Sequence, residues 1–148
     1  MSTLRLGIAI AERPEGPYRR LQTDTILQFD NPDFHVEDPF IWHADGLFHM
    51  LVKDDFKNNS GGLTGEWGAG IYATSKKCIQ WHVHPSPKAY SRTIMWDDGT
   101  TSCPANLERP NLLFHNGKPT HLFLATGNGP APYTFEDETW NMVIPLHL

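Results

Sequence analysis

The sequence predicts an all-β fold of short antiparallel strands. Three observations carry that prediction. Twelve glycines and twelve prolines in 148 residues leave few uninterrupted stretches for helix, because both residue types penalise a helix interior. Apolar runs of four to eight residues with strand-like alternation recur between turn signals. One hairpin pattern also occurs twice along the chain.

Taken in order, "LRLGIAIAE" (4–12) alternates as a half-buried strand and ends at "RPEGPY", where two prolines flank a Glu-Gly turn. "PFIWH" (39–43) and "LFHMLVK" (47–53) are separated by "ADG", which reads as a hairpin closed by Asp45 and Gly46. The polar, glycine-rich "KNNSGGLTGEWG" (57–68) is a loop, and the overlapping "GLTGEWGAG" imitates a phosphate loop only weakly, lacking the Lys and the following helix. "AGIYATS" (69–75) and "IQWHVHP" (79–85) form a further strand pair with "KKC" at the turn. "NLLFH" (111–115), "NGKP" and "THLFLAT" (120–126) repeat the plan of the first hairpin, and "WNMVIPLHL" (140–148) supplies a terminal strand.

The duplication is the most informative feature. "EDPFIWHADGLFHMLVK" aligns with "ERPNLLFHNGKPTHLFLAT": Glu, one residue, Pro, an apolar strand, His, a turn with Gly, then an apolar strand containing His. Glu37 and Glu108 lie 71 residues apart (108 − 37). A period of that size, with about four short strands in each unit, fits blades of a β-propeller better than halves of a sandwich. Chance likeness between two hairpins is the alternative, since alternation is common in all-β proteins. The expected organisation is a single domain over 1–148, a partial propeller of two to three blades: a blade end at 4–20, a blade at about 34–96 and another at about 105–148.

Composition narrows the functional classes. The net charge of −5 is mild and the basic residues form no stripe, so the electrostatic footprint of a nucleic-acid binder is missing. Cys78 and Cys103 belong to no Cys-x-x-Cys pair and are read as ordinary reduced thiols. "MSTLRLGIAIAERPEG" reaches charge by Glu12, too soon for a signal peptide or a membrane span. The expected location is cytoplasmic, or exported behind a leader that precedes this sequence. Asn58 heads a glycosylation sequon that matters only in a eukaryotic secreted protein. No cofactor motif is present. His82 and His84 alternate onto one strand face, a geometry that can bind metal, but no third ligand is apparent and a solvent-facing or packed pair is expected.

Several stretches resemble a known family. "LGIAIAERPEGPYRR" resembles the blade-ending strand and loop of five-bladed propeller glycosidases, especially glycoside hydrolase family 43. "HVEDPFIWHADGLFHMLVKDD" is similar to the strand that opens the next blade there, "GIYATSKKCIQW" to their outer strands, and "WNMVIPL" to a terminus of such proteins. Family members run to about twice this length, and the first blade, which there carries the catalytic base, has no counterpart before Leu4. The resemblance is therefore to a C-terminal portion. It implies a glycoside hydrolase-like protein acting on or binding polysaccharide or oligosaccharide, with an incomplete catalytic site. The alternatives are a noncatalytic carbohydrate-binding module and a structural or interaction domain.

By that resemblance Glu37, Asp38 and Glu108 start inner strands and converge in an axial funnel, where glycoside hydrolysis needs one protonated and one ionised carboxyl. Glu37 is the first choice for the acid, with Trp42 or Phe40 and the charge of Asp38 expected to favour its protonated form. Glu108 is second, with Arg109 beside it as a possible counter-ion. Trp42, His49, Trp67, Arg109 and His121 are candidate sugar contacts; His49 and His121 occupy matching places in the two repeats, and Trp67 sits in a loop with little core to join. The competing reading makes both Glu-x-Pro segments simple strand-entry turns. Carbohydrate is the expected partner, together with a second copy of the chain paired through exposed strand edges.

Overall fold

The computed structural model describes residues 4–132, 134 and 138–147. The protein is all-β, with antiparallel sheets and no helix among the described residues. Consequently no helix there is long and apolar enough to cross a membrane.

A short ribbon comes first, β1 (Ala9–Ile10) against β2 (Arg19–Arg20). Next, β3 (Val36–Ala44), β4 (Leu47–Asp54), β5 (Gly70–Ser75) and β6 (His82–Tyr90) form a four-stranded meander in chain order. A small hairpin follows, β7 (Ile94–Met95) with β8 (Thr101–Ser102). Finally β9 (Asn106–His115), β10 (Lys118–Gly127) and β11 (Thr139–Pro145) make a three-stranded meander.

The two predicted hairpins close as their turn residues dictate. Asp45 and Gly46 have φ of 51° and 74°, and Asn116 and Gly117 have 49° and 76°. Two successive left-handed residues are the signature of the two-residue turn whose twist matches the flanking strands. Other boundaries differ from expectation. The 4–12 strand shrinks to β1, because its neighbour is irregular; Leu6 and Ile8 only accept single backbone bonds from Ile26 and Leu21. The strand expected at 79–85 is displaced to 82–90 and runs through Pro85 and Pro87, which an edge strand tolerates. β3 and β9 begin before their Glu-x-Pro segments instead of after them. The hairpin β7–β8 was not anticipated, and Leu148, the end of the expected terminal strand, lies outside the described residues.

Alternation along β4 divides the core in two. Phe48, Met50 and Val52 join Val36, Ile71, Ala73 and Trp81 under a cover of Leu6, Ile8, Ile26, Leu27 and Phe29 from the N-terminal segment. On the other face Leu51, with Trp42, Tyr72 and Tyr90, meets Leu107, Leu122, Leu124 and Met142 of the second sheet. Complete burial of side chains such as Met50, Ile71, Leu107 and Leu124 stabilises the fold by about 1.5–3 kcal/mol each. The second cluster therefore holds the two meanders against one another, and it fixes β9 beside β3 and β4.

A candidate carboxylate site

Both Glu-x-Pro segments form the same backbone device. On β3, Glu37 pairs with Lys53 and Phe40 with Leu51, so three residues span what two span on β4. On β9, Glu108 pairs with Ala125 and Asn111 with Phe123, giving the same count. The middle residues, Asp38 and Arg109, have φ of 55° and 52°. A left-handed non-glycine residue costs about 1–3 kcal/mol and persists where its surroundings over-determine it. Proline is accommodated at these bulges because the ladder is already interrupted there.

The bulges bring two carboxylates to one cation. Lys53 Nζ donates to Glu37 Oε1 at 2.7 Å and to Glu108 Oε1 at 2.6 Å, and its side chain is completely buried. Burial by itself lowers the pKa of the Lys53 ammonium, but the hydrogen bonds to Glu108 and Glu37 outweigh it and the net shift is upward. Arg109 Nη1 donates to the other oxygen of Glu108, Oε2, at 3.1 Å from a largely exposed position. The counter-ion of Glu37 is thus Lys53; the expected aromatic wall is instead engaged in its own stack, Phe40 on Trp42 at 5.9 Å.

Two further acids adjoin this triad. Asp55 is buried, and burial followed by the charge of Glu37 pushes its carboxyl up to about 6, against the opposing effects of Lys53 and of a hydrogen bond from Trp67. Asp38 is half-buried, and burial and then Glu37 raise it as well. Trp67 Nε1 donates to Asp55 Oδ1 at 3.1 Å, while Lys53 Nζ lies 4.6 Å and the Arg92 guanidinium 5.2 Å from the centre of the Trp67 rings. These are favourable cation–π distances.

The loop that delivers Trp67 is tied down at both ends. Buried Asp54 accepts Leu63 N–H at 2.9 Å, and Thr64 N–H and Oγ1–H at 2.8 Å, on a single oxygen. Burial still raises its pKa overall. Glu66 accepts Arg92 N–H at 2.7 Å, Ser91 Oγ–H at 2.9 Å and Lys88 Nζ–H at 3.0 Å. Burial opposes the ionised form of Glu66, yet its bonds from Lys88, Ser91 and Arg92 prevail and lower it. Beside Glu108 a cleft of about 340 Å³ opens, lined by Asn106, Ala125, Thr126, Asn141 and the partly exposed Trp140.

Of the residues singled out from sequence, Glu37, Asp38, Glu108, Arg109 and Trp67 assemble here. Trp42 and His49 do not. His49 is four residues from Lys53 along β4, about 13 Å at strand spacing, and stacks on Trp42 at 5.1 Å. His121 pairs with Leu113 and Pro145, and its Nδ1 meets Thr120 Oγ1. The matching register of His49 with Trp42 and of His121 with Leu113 extends the repeat. His82 and His84 are exposed, and among the described residues no group of three or more His, Cys, Asp or Glu is placed to hold a metal.

Lys53, Asp55 and Trp140 were missed. A signal for Lys53 existed: it shares its strand face with His49 and Leu51, so alternation points it inward, where only carboxylates compensate an ammonium.

Chemically the cluster offers carboxylate acceptors with spare lone pairs beside indole rings. That combination suits a ligand with many hydroxyl donors and apolar C–H faces. No protein-family model matches the chain, and neither the curated proteins nor the solved structures contain a match.

Proposed function

We propose that the chain is a glycosidase-like, propeller-type module that binds carbohydrate at the Glu37–Lys53–Glu108 cluster. One observation carries this reading: equivalent bulges in two repeated meanders direct their glutamates to the same buried ammonium. The 71-residue repeat, the four-stranded and three-stranded meanders and the face-to-face packing support two propeller-type blades. Lys53 and Arg109 hold the carboxylates as fixed acceptors for sugar hydroxyls, and Trp140 offers a flat apolar face. The test is a glycan array probed with wild type and Glu37→Gln. The variant is expected to fold normally and lose binding; undiminished binding removes the site.

Self-association through the unpaired outer edge of β11 is a further part of the proposal, because open strand edges recruit other strands.

A further inference from the structure

A row of rings crosses the first sheet on the face turned toward the second. Phe40 and Trp42 on β3 lead to His49 on β4, Tyr72 on β5 and His84 on β6. Trp42 lies 5.1 Å from His49 with planes 15° apart, His49 lies 5.9 Å from Tyr72 with planes 18° apart, and Tyr72 lies 5.9 Å from His84. A hydrogen bond of 2.6 Å between His49 Nδ1 and Tyr72 Oη locks the middle of the row.

The second sheet covers only one end. Phe114 meets Trp42 at 6.1 Å, but further along the sheets stand apart and leave a cleft of about 570 Å³. Trp42, His49, Tyr72 and His84 form one wall, and Leu112, Leu122 and Leu146 the other. Packed interiors do not normally leave such a space. Its size and its aromatic, mainly apolar lining are those of a small-molecule site.

The ring of Tyr90 closes the cleft toward the carboxylate cluster, since the charges of Asp38 and Glu108 act on its buried hydroxyl. One more observation defines the occupant. Lys88 and Lys118 stand on opposite walls against a single acid, Asp45. Lys88 is engaged by Glu66 at 3.0 Å, whereas Lys118 makes no ion pair with a described residue.

We propose that this cleft is a binding site for a flat aromatic anion. The ring system lies between the aromatic row and the leucines, and the acidic group faces Lys118. This site is separate from the carboxylate cluster and independent of the carbohydrate reading.

The test uses the full chain and 8-anilinonaphthalene-1-sulfonate, a fluorescent aromatic anion. Titration is expected to give saturable one-to-one binding, weakened at least about tenfold by Ala89→Trp, which fills the cleft from an exposed lining position, and unchanged in Glu37→Gln. Lys118→Glu is expected to weaken the sulfonate several-fold but leave the uncharged N-phenyl-1-naphthylamine unaffected. Non-saturating fluorescence, or saturable binding indifferent to Ala89→Trp, overturns the site. Equal sensitivity of both probes to Lys118→Glu, or no sensitivity in either, overturns the choice of an anion.

Discussion

Replacing Lys53 by Met tests the centre of the fold and of the site together. Met nearly preserves the volume of the side chain and removes the charge, leaving Glu108, whose side chain is 11% exposed, and Glu37, 30% exposed, without their common partner. Removing one member of a buried ion pair costs about 3–5 kcal/mol, because the other charge stays in the interior uncompensated. The lower end applies here, since Glu37 reaches solvent and Glu108 keeps Arg109 at 3.1 Å. Urea unfolding followed by tryptophan fluorescence is the assay. With a denaturant slope of about 1–3 kcal/mol per molar, a loss of about 3 kcal/mol moves the midpoint down by roughly 1 to 3 M. Adding Glu37→Gln and Glu108→Gln to Lys53→Met is expected to recover most of the loss, since neither former partner of Lys53 then carries a charge and Arg109, which loses Glu108, is largely exposed. A shift below about 0.5 M, well under that range, or a triple variant no more stable than Lys53→Met, would refute the clamp.

The pH dependence has a defined sign. Asp55 titrates higher in the folded chain than its ordinary value, so its contribution to stability is full below 3.8 and is lost as pH rises through about 6. Asp55→Asn is therefore expected to be more stable than wild type at pH 7.5, by on the order of 2 kcal/mol, with the difference closing toward pH 4; urea midpoints at both values check it. Lys53, raised above 10.5, contributes stability at neutral pH that is lost as pH climbs through its folded value. An alkaline unfolding limb present in wild type and absent from the Lys53→Met, Glu37→Gln, Glu108→Gln variant is the expected result. Gly62 has φ of 54°, and a side chain there runs into Asp54 and Phe56. Gly62→Ala should cost about 1–3 kcal/mol and make the 57–68 loop the first site of limited proteolysis. Light scattering at micromolar concentration should report an oligomer, and a monodisperse monomer would remove the edge-pairing proposal.

Local signals made the two major hairpins legible. Asp45-Gly46 and Asn116-Gly117 fix their own turns through left-handed φ, and the flanking alternation places Met50 and Val52 opposite Leu51. The convergence of Glu37 and Glu108 was foreseeable from the repeat, but the cation between them was not read. In "LFHMLVK" a terminal lysine looks like the end of a strand; alternation with His49 and Leu51 turns it inward, but the acids that compensate it lie 16 and 55 residues away in sequence. Proline misled the boundaries of β3 and β9 for a related reason. A Pro usually marks a strand's beginning, whereas here each lies within a bulge that a neighbouring strand defines. Trp42 and His49, expected among the sugar contacts, lie apart from the carboxylates, because sequence gives the face of a strand without the distance along it.

The bulge at Asp38 absorbs one residue without changing the phase of the strand before it. Glu37 and Phe40 are three residues apart yet face Lys53 and Leu51 from the same side, while Val36 enters the opposite core layer beside Asp54. Deleting Asp38 alone would leave Glu37 and Phe40 two residues apart, where plain alternation gives the same facing, so the ladder would become regular with Val36 and Glu37 still in place. What the extra residue adds is therefore a third carboxylate held beside Glu37 on a left-handed backbone, and a shortened strand would keep the fold while losing it.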